Sequence, residues 1–258
     1  MTALVSCGAI ARNTVREALR NRLMYGIFTV SVLVTLGSVA ISTLSYVEGT
    51  RIMQDLAFAS MRMFTVGTAI LLGINLLHRE VERRTLYTIL SRPLSRTVFL
   101  LGKYLGLVAT TWLMLLCMAG VFGAVSVAAG APIHMGHFAA VSLLAVEMWI
   151  LVGVAILFSS FTTPMLASLF TISIYVMGHL SQNLLELANA SSDPAVQRVG
   201  GWLHQLLPDL ARYDLSIEAV HGLAIPAAAW GWPVLYAVLY SSLLLVFASG
   251  LFGRRDLR

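Results

Sequence analysis

Six stretches of the chain are each long and apolar enough to cross a lipid bilayer, and this decides most of what the chain can fold into. A helix rises about 1.5 Å per residue, so about 20 mostly apolar residues traverse roughly 30 Å of hydrocarbon. The spans read from the sequence cover about 24–46, 57–77, 97–128, 138–160, 164–187 and 232–252. Only 11% of the 258 residues are charged and 58% are hydrophobic. An ordinary soluble domain carries roughly 25% charged residues, and a chain this short has no soluble core large enough to hide so much apolar surface. The expected fold class is an all-α integral membrane protein of six transmembrane helices, forming one domain over 1–258. The N-terminus does not read as a cleaved signal, because its apolar stretch exceeds the usual 7–15 residues and more spans follow.

The flanks of the spans set the topology. Residues 9–23 read as an amphipathic helix in the headgroup layer, with Arg12, Arg16 and Arg20 in one stripe and Ala11, Val15, Leu19 and Leu23 beside it; anionic lipid attracts such a face. Tyr46 closes the first span as an interfacial aromatic. A short polar loop with Glu48, Arg51 and Asp55 follows. Pro164 suits the first turn of the fifth helix. With six spans, both termini share one side, and that side carries thirteen Lys and Arg: Arg12, Arg16, Arg20, Arg22, Arg79, Arg83, Arg84, Arg92, Arg96, Lys103, Arg254, Arg255 and Arg258. The opposite side carries four: Arg51, Arg62, Arg198 and Arg212. The imbalance places both termini in the cytoplasm. It also accounts for the net charge of +5 without invoking nucleic acid. The 188–231 loop then faces outward, and its Trp202, Leu203, Leu206, Leu207 and Leu210 predict short interfacial or re-entrant helices. Cys7 and Cys117 fall on opposite sides of a membrane boundary, so no disulfide is expected, and no metal-ligand cysteine spacing exists.

The segment 78–96, HREVERRTLYTILSRPLSR, is far more charged than a passive connection between spans two and three requires. Glu80 and Arg84 sit at i, i+4 with the acid first, the favoured order. Leu86, Ile89 and Leu90 form an apolar edge. Pro93 disfavours helix at Arg92, and Ser95 is placed to cap the next span. The pattern is a short amphipathic helix, a stiff break and a new membrane helix. A solvated positive-inside loop explains the arginines, but not the acidic pair, the apolar edge and the break together.

This stretch resembles the cytoplasmic signature of ABC-2-type permeases, the membrane subunits of one class of ATP-binding-cassette exporters. The matching residues are Glu80, Glu82, Arg84, Thr85, Leu86, Leu90, Ser91, Pro93, Leu94, Ser95, Arg96, Gly102 and Lys103. Leu207-Pro208-Asp209-Leu210 and Tyr213-Asp214-Leu215 are similar to a stretch of the multicopper-enzyme-maturation permeases, such as those serving nitrous oxide reductase assembly. The resemblance implies a bacterial inner-membrane permease working as a homodimer with an ABC ATPase subunit, with an extracytoplasmic accessory protein as a further partner. It implies that a cytoplasmic coupling helix, with Glu80, Glu82, Arg83, Arg84, Thr85, Leu86, Leu90, Ser91, Arg92, Pro93, Ser95 and Arg96, docks on the ATPase. ATP and Mg would be bound by that partner and no cofactor by this chain. The chain has no G-x-x-x-x-G-K-[ST] phosphate loop; position 97, upstream of Gly102-Lys103, is Thr.

Glu147 lies in the fourth span, where a charge costs roughly 2.5–3.5 kcal/mol on insertion scales. It either faces a pathway and contacts substrate or a proton, or it bonds a polar neighbour and ties helices together; the second reading is the plainer. Gly102 and Gly106 form a small-xxx-small pattern that favours close helix packing, beside a Lys103 placed to snorkel. His134 and His137 are spaced to ligate copper, although a solvated loop is the simpler reading. No nucleophile–base arrangement stands out. Two rivals to the permease reading are a secondary transporter, which calls for several intramembrane ionisable residues and internal repeats, and a non-transporting assembly or anchor subunit. The topology predicts that a reporter active only outside the cytoplasm will be silent when fused after Arg258 and active when inserted near Ser191; the reverse pattern would invert the orientation.

Overall fold

In a computed structural model, residues 3–44, 48–82, 96–191, 193–223, 225 and 228–254 are described. They form nine α-helices and a 3-10 turn, with no strand among them: α1 (Ala3–Leu19), α2 (Arg22–Ser42), α3 (Gly49–Glu82), α4 (Arg96–Ala128), α5 (Met135–Phe161), α6 (Pro164–Ala190), α7 (Pro194–Leu206), the turn Ala211–Tyr213, α8 (Ser216–Val220) and α9 (Ala228–Arg254). Helices α2, α3, α4, α5, α6 and α9 are the six that meet the length and hydropathy of a membrane span. The protein is therefore an all-helical membrane protein. The most apolar stretches of α3 and α5 are mostly buried, 67% and 61%, against 22% in α2, α6 and α9. The bundle thus has a central layer of α3, α4 and α5 and a periphery that faces lipid or another chain.

Lipid tails are as apolar as leucine, so close packing and polar bonds between helices hold such a bundle together. Helix α2 meets α3 through the Thr35 and Ser60 hydroxyls, 3.2 Å apart. Helix α4 meets α5 where Trp112 stacks on Trp149 and donates to the Ala145 carbonyl at 2.7 Å. Tyr104 donates to the Trp149 carbonyl at 3.2 Å. A Cβ on Gly73 would sit 3.0 Å from Ala155, and one on Gly153 would sit 3.2 Å from Leu244, so α3 and α9 both lie close against α5.

Several boundaries differ from the sequence reading. The first helix spans 3–19 rather than 9–23, because Asn21 caps α2, its side chain accepting from the Leu23 N–H at 3.1 Å. Its buried residues are Thr14 and Ala18, while Leu23, expected in the apolar stripe, is exposed. That buried face lies on α4: a Cβ on Gly102 would sit 2.8 Å from the Ile10 Cβ, and one on Gly106 would sit 2.6 Å from the Thr14 Cβ. Helix α3 begins at Gly49, so Arg51 and Asp55 occupy its first turns instead of a loop, and it continues without interruption to Glu82. Arg62 is consequently inside a span and not on the outer surface. Helix α5 begins at Met135, and His137 is buried between Phe58 and Phe122 instead of solvated. Its Nδ1 accepts the His134 N–H at 3.0 Å, so the ring closes a helix end. Pro164 opens α6 as expected. Tyr46 lies outside the described residues.

Gly106→Val is expected to force α1 off α4 and cost about 1–3 kcal/mol, the usual scale of overpacking, read as a lower thermal midpoint in detergent. Gly120→Ala on the same helix meets nothing within 4 Å and should leave the midpoint unchanged or raise it.

Candidate functional site: a charge cluster at mid-depth

Three spans and one connecting segment bring charged groups together halfway across the bundle. Arg62 is thirteen residues beyond the first residue of α3, Glu147 is near the middle of α5, and His179 is near the middle of α6. Their partner arrives from the segment after α7. Pro208 cannot extend the preceding helix, and the chain turns inward there. The Leu210 N–H donates to the Gly178 carbonyl at 3.3 Å, which is twelve residues, or about 18 Å, from the end of α6. Leu210 and Tyr213 are fully packed, and the Tyr213 hydroxyl donates to the Pro233 carbonyl at 2.8 Å. Gly178 is required at the crossing: a Cβ there would meet the Pro208 oxygen at 2.8 Å. Gln182 and Arg212 both donate to Asp209, at 3.0 and 2.6 Å. The segment returns outward through α8, whose Ala219 packs on Gly136.

The inward loop delivers Asp214 to Arg62. Their side chains form a hydrogen-bonded ion pair, and Ser216 donates its backbone N–H to Asp214 at 3.1 Å. Burial by itself would raise the Asp214 carboxyl, but the Arg62 guanidinium and the Ser216 donors outweigh it and hold the group below its ordinary value. Next to this pair, His179 Nε2 lies 2.9 Å from Glu147 Oε1. Glu147 is completely buried, and its Oε2 has no hydrogen-bond partner among the described residues. Tyr175, one turn before His179, packs edge-on against the imidazole with ring centroids 4.6 Å apart. Glu147 is also within electrostatic reach of Arg62 and Tyr175. A lone buried charge is costly, and here Glu147 has His179 beside it and Arg62 has Asp214.

The cluster borders a groove of about 980 Å³ between α3, α6 and α8. Asp55, Arg62, Asp214 and His221 line the half nearer the start of α3, while Val66, Ile70 and Ile172 line the half nearer its end. The groove is amphipathic along its length.

Glu147 is bonded to a polar neighbour, one of the two roles foreseen for it. Asp214 joins the cluster from a segment that the sequence assigns to the outer side. His179, Tyr175 and the pairing of Arg62 were missed; a histidine in the middle of the fifth span is itself a signal of function. Glu80 and Glu82 fall on the last turn of α3 and Arg96 opens α4. Arg83, Arg84, Thr85, Leu86, Leu90, Ser91, Arg92, Pro93 and Ser95 lie outside the described residues.

The six-span helical bundle thus carries paired charges beside an amphipathic groove. The model of the ABC-2 family transporter proteins matches residues 8–257, so the chain belongs to that family. It is a permease component of an ABC-type transporter, a family of transmembrane subunits that work with an ABC ATPase. No individual curated protein matches it.

The Asp214 carboxylate should contribute stability that is complete above its ordinary value of 3.8 and is lost as pH falls through its lowered folded value. Arg62→Gln removes the cation and leaves burial to raise the group, so the part of the acid destabilisation that comes from Asp214 should shrink or reverse. The cost at neutral pH should be roughly 1–3 kcal/mol, below the 3–5 kcal/mol of a fully enclosed pair because Asp214 retains 35% exposure. Thermal midpoints of the two proteins against pH check this; superimposed profiles would contradict it.

Proposed function

We propose that the chain is the permease of an exporter in the bacterial cytoplasmic membrane, with both termini cytoplasmic, and that two copies move substrate by alternating access. In this reading 1–258 is one transmembrane domain, with α1 at the headgroup layer and the 188–231 segment outside. A separate ATPase binds ATP and Mg and docks on Glu80, Glu82, Arg83, Arg84 and the residues up to Arg96. The observation that carries the reading is the continuity of α3. One helix of 34 residues, about 50 Å long, runs from the groove to Glu82. A displacement of its Glu82 end is therefore a displacement of Arg62 and of one groove wall.

The second copy is supported by the outward stripe of α6, where Met165, Leu169, Ile172, Val176, Leu180 and Leu187 are exposed at helical spacing. Such a mate would close the groove into a path, with Glu147 behind its wall. The exposed Trp202 and Leu206 of α7 offer an accessory protein a surface. The resemblance of Leu207–Leu215 to the maturation-type permeases is the basis for placing the chain in that subgroup.

A second reading, an ion-gradient-driven carrier, is favoured by one observation: two ionisable groups, Glu147 and His179, meet 2.9 Å apart between two membrane spans. Co-purification and flux separate the two. The exporter reading expects an ABC ATPase to accompany the solubilised chain, and Glu82→Ala or Arg84→Ala to lower stimulated ATP hydrolysis about tenfold, equivalent to ~1.4 kcal/mol of coupling. A chain that purifies alone, with flux that follows a proton gradient and ignores ATP, would establish the carrier instead.

A further inference from the structure

A polar cleft of about 840 Å³ opens between the second half of α1 and the first turn of α2, lined by Asn13, Arg16, Glu17, Leu19, Arg20 and Tyr25. It shares no lining residue with the groove or the charge cluster. Its charges are unbalanced. The one acid in the lining, Glu17, has Lys103 of α4 3.6 Å from its carboxylate, and that lysine is almost wholly buried. Arg16 and Arg20 are exposed and make no side-chain hydrogen bond or ion pair among the described residues. Helix α2 points its N-terminal, positive end into the same region and has no acid in its first turn. Arg20, just past the last turn of α1, offsets the negative end of that helix. Two free guanidiniums at a positive helix end form a receptor for a tetrahedral oxyanion.

From this we propose that the α1–α2 cleft binds the phosphate group of an anionic membrane lipid. Arg16 and Arg20 grip the phosphate, Asn13 is placed to bond the headgroup, and Leu19 and Tyr25 flank the glycerol end. The exposed Leu23 of the same turn continues the apolar contact toward the chains. The Lys103–Glu17 pair has a defined part in this: it removes the acid that would otherwise repel the phosphate. The site requires only that the chain lies in a bilayer, and it is independent of direction of transport and of the energy source.

The test is native mass spectrometry of the full chain titrated in detergent with phosphatidylglycerol, phosphatidylcholine or inorganic phosphate. The wild type should retain phosphatidylglycerol in preference to phosphatidylcholine. Arg16→Gln with Arg20→Gln should weaken phosphatidylglycerol binding roughly 30-fold, the equivalent of two surface cations. Arg16→Lys with Arg20→Lys should keep most of it, and Arg12→Gln, outside the cleft, should keep all of it. Because α1 packs on α4 through Ile10 and Thr14, the substitutions leave the packed face intact, and unchanged elution and thermal midpoint verify this. Equal retention of both lipids, or equal binding by the wild type and the double glutamine variant, would overturn the proposal. Displacement of the lipid by an equal concentration of inorganic phosphate would overturn the lipid assignment and make the cleft a free-phosphate site.

Discussion

A guanidinium fixed halfway along a membrane helix is tolerated only where an opposite charge meets it, and the Arg62–Asp214 pair satisfies that demand by drawing a loop into the bundle. Irregular chain at such a place is tolerated only where protein or a wet cavity covers it. The inward segment finds several of its partners inside the protein. It does so with the Gly178 carbonyl, with Gln182 and Arg212 around Asp209, with Pro233 over Tyr213, and with Ser216 beside Asp214. The glycine at 178 and the prolines at 208 and 233 follow from this: one permits the approach, one ends the preceding helix, and one offers a carbonyl. Glu147 and His179 add a second pair, and the other Glu147 oxygen has no hydrogen-bond partner among the described residues.

The same pair fixes α3 in the machine. Arg62 is one residue on a helix that runs unbroken from the groove to Glu82, while α4, beyond the charged connection, holds α1 against Gly102 and Gly106. A push on the 78–96 connection thus has two rigid arms to act on. One carries a wall of the groove. The other carries the basic N-terminal helix. In the proposed function an ABC ATPase acts on that connection.

Much of this was legible in the chain. The six spans follow from hydropathy, the close approach at Gly102 and Gly106 from small-residue spacing, and the family from the Glu80–Arg96 pattern. The centre of the site was harder to read, for physical reasons. Arg62 resembles a flank residue because the amphipathic first turns of α3, with Arg51 and Asp55, hide where the helix begins. Asp214 belongs by sequence to a polar loop, and only tertiary contacts carry it inward. His179 stands alone in its span, and its meaning depends on Glu147, 32 positions away. His137 was misread because its neighbours Phe58 and Phe122 come from other helices.

The central claim is that α3 acts as a single lever between the ATPase and the groove. It is tested by spin labels at Met63→Cys and Val176→Cys, on the two walls of the groove, in a permease freed of Cys7 and Cys117 and assembled with its ATPase. Pulsed electron spin resonance would report the distance between them before and after a non-hydrolysable ATP analogue is added. The lever predicts a shifted distance distribution on nucleotide binding, abolished by Glu82→Ala. An unchanged distribution in a complex that still transports would contradict it.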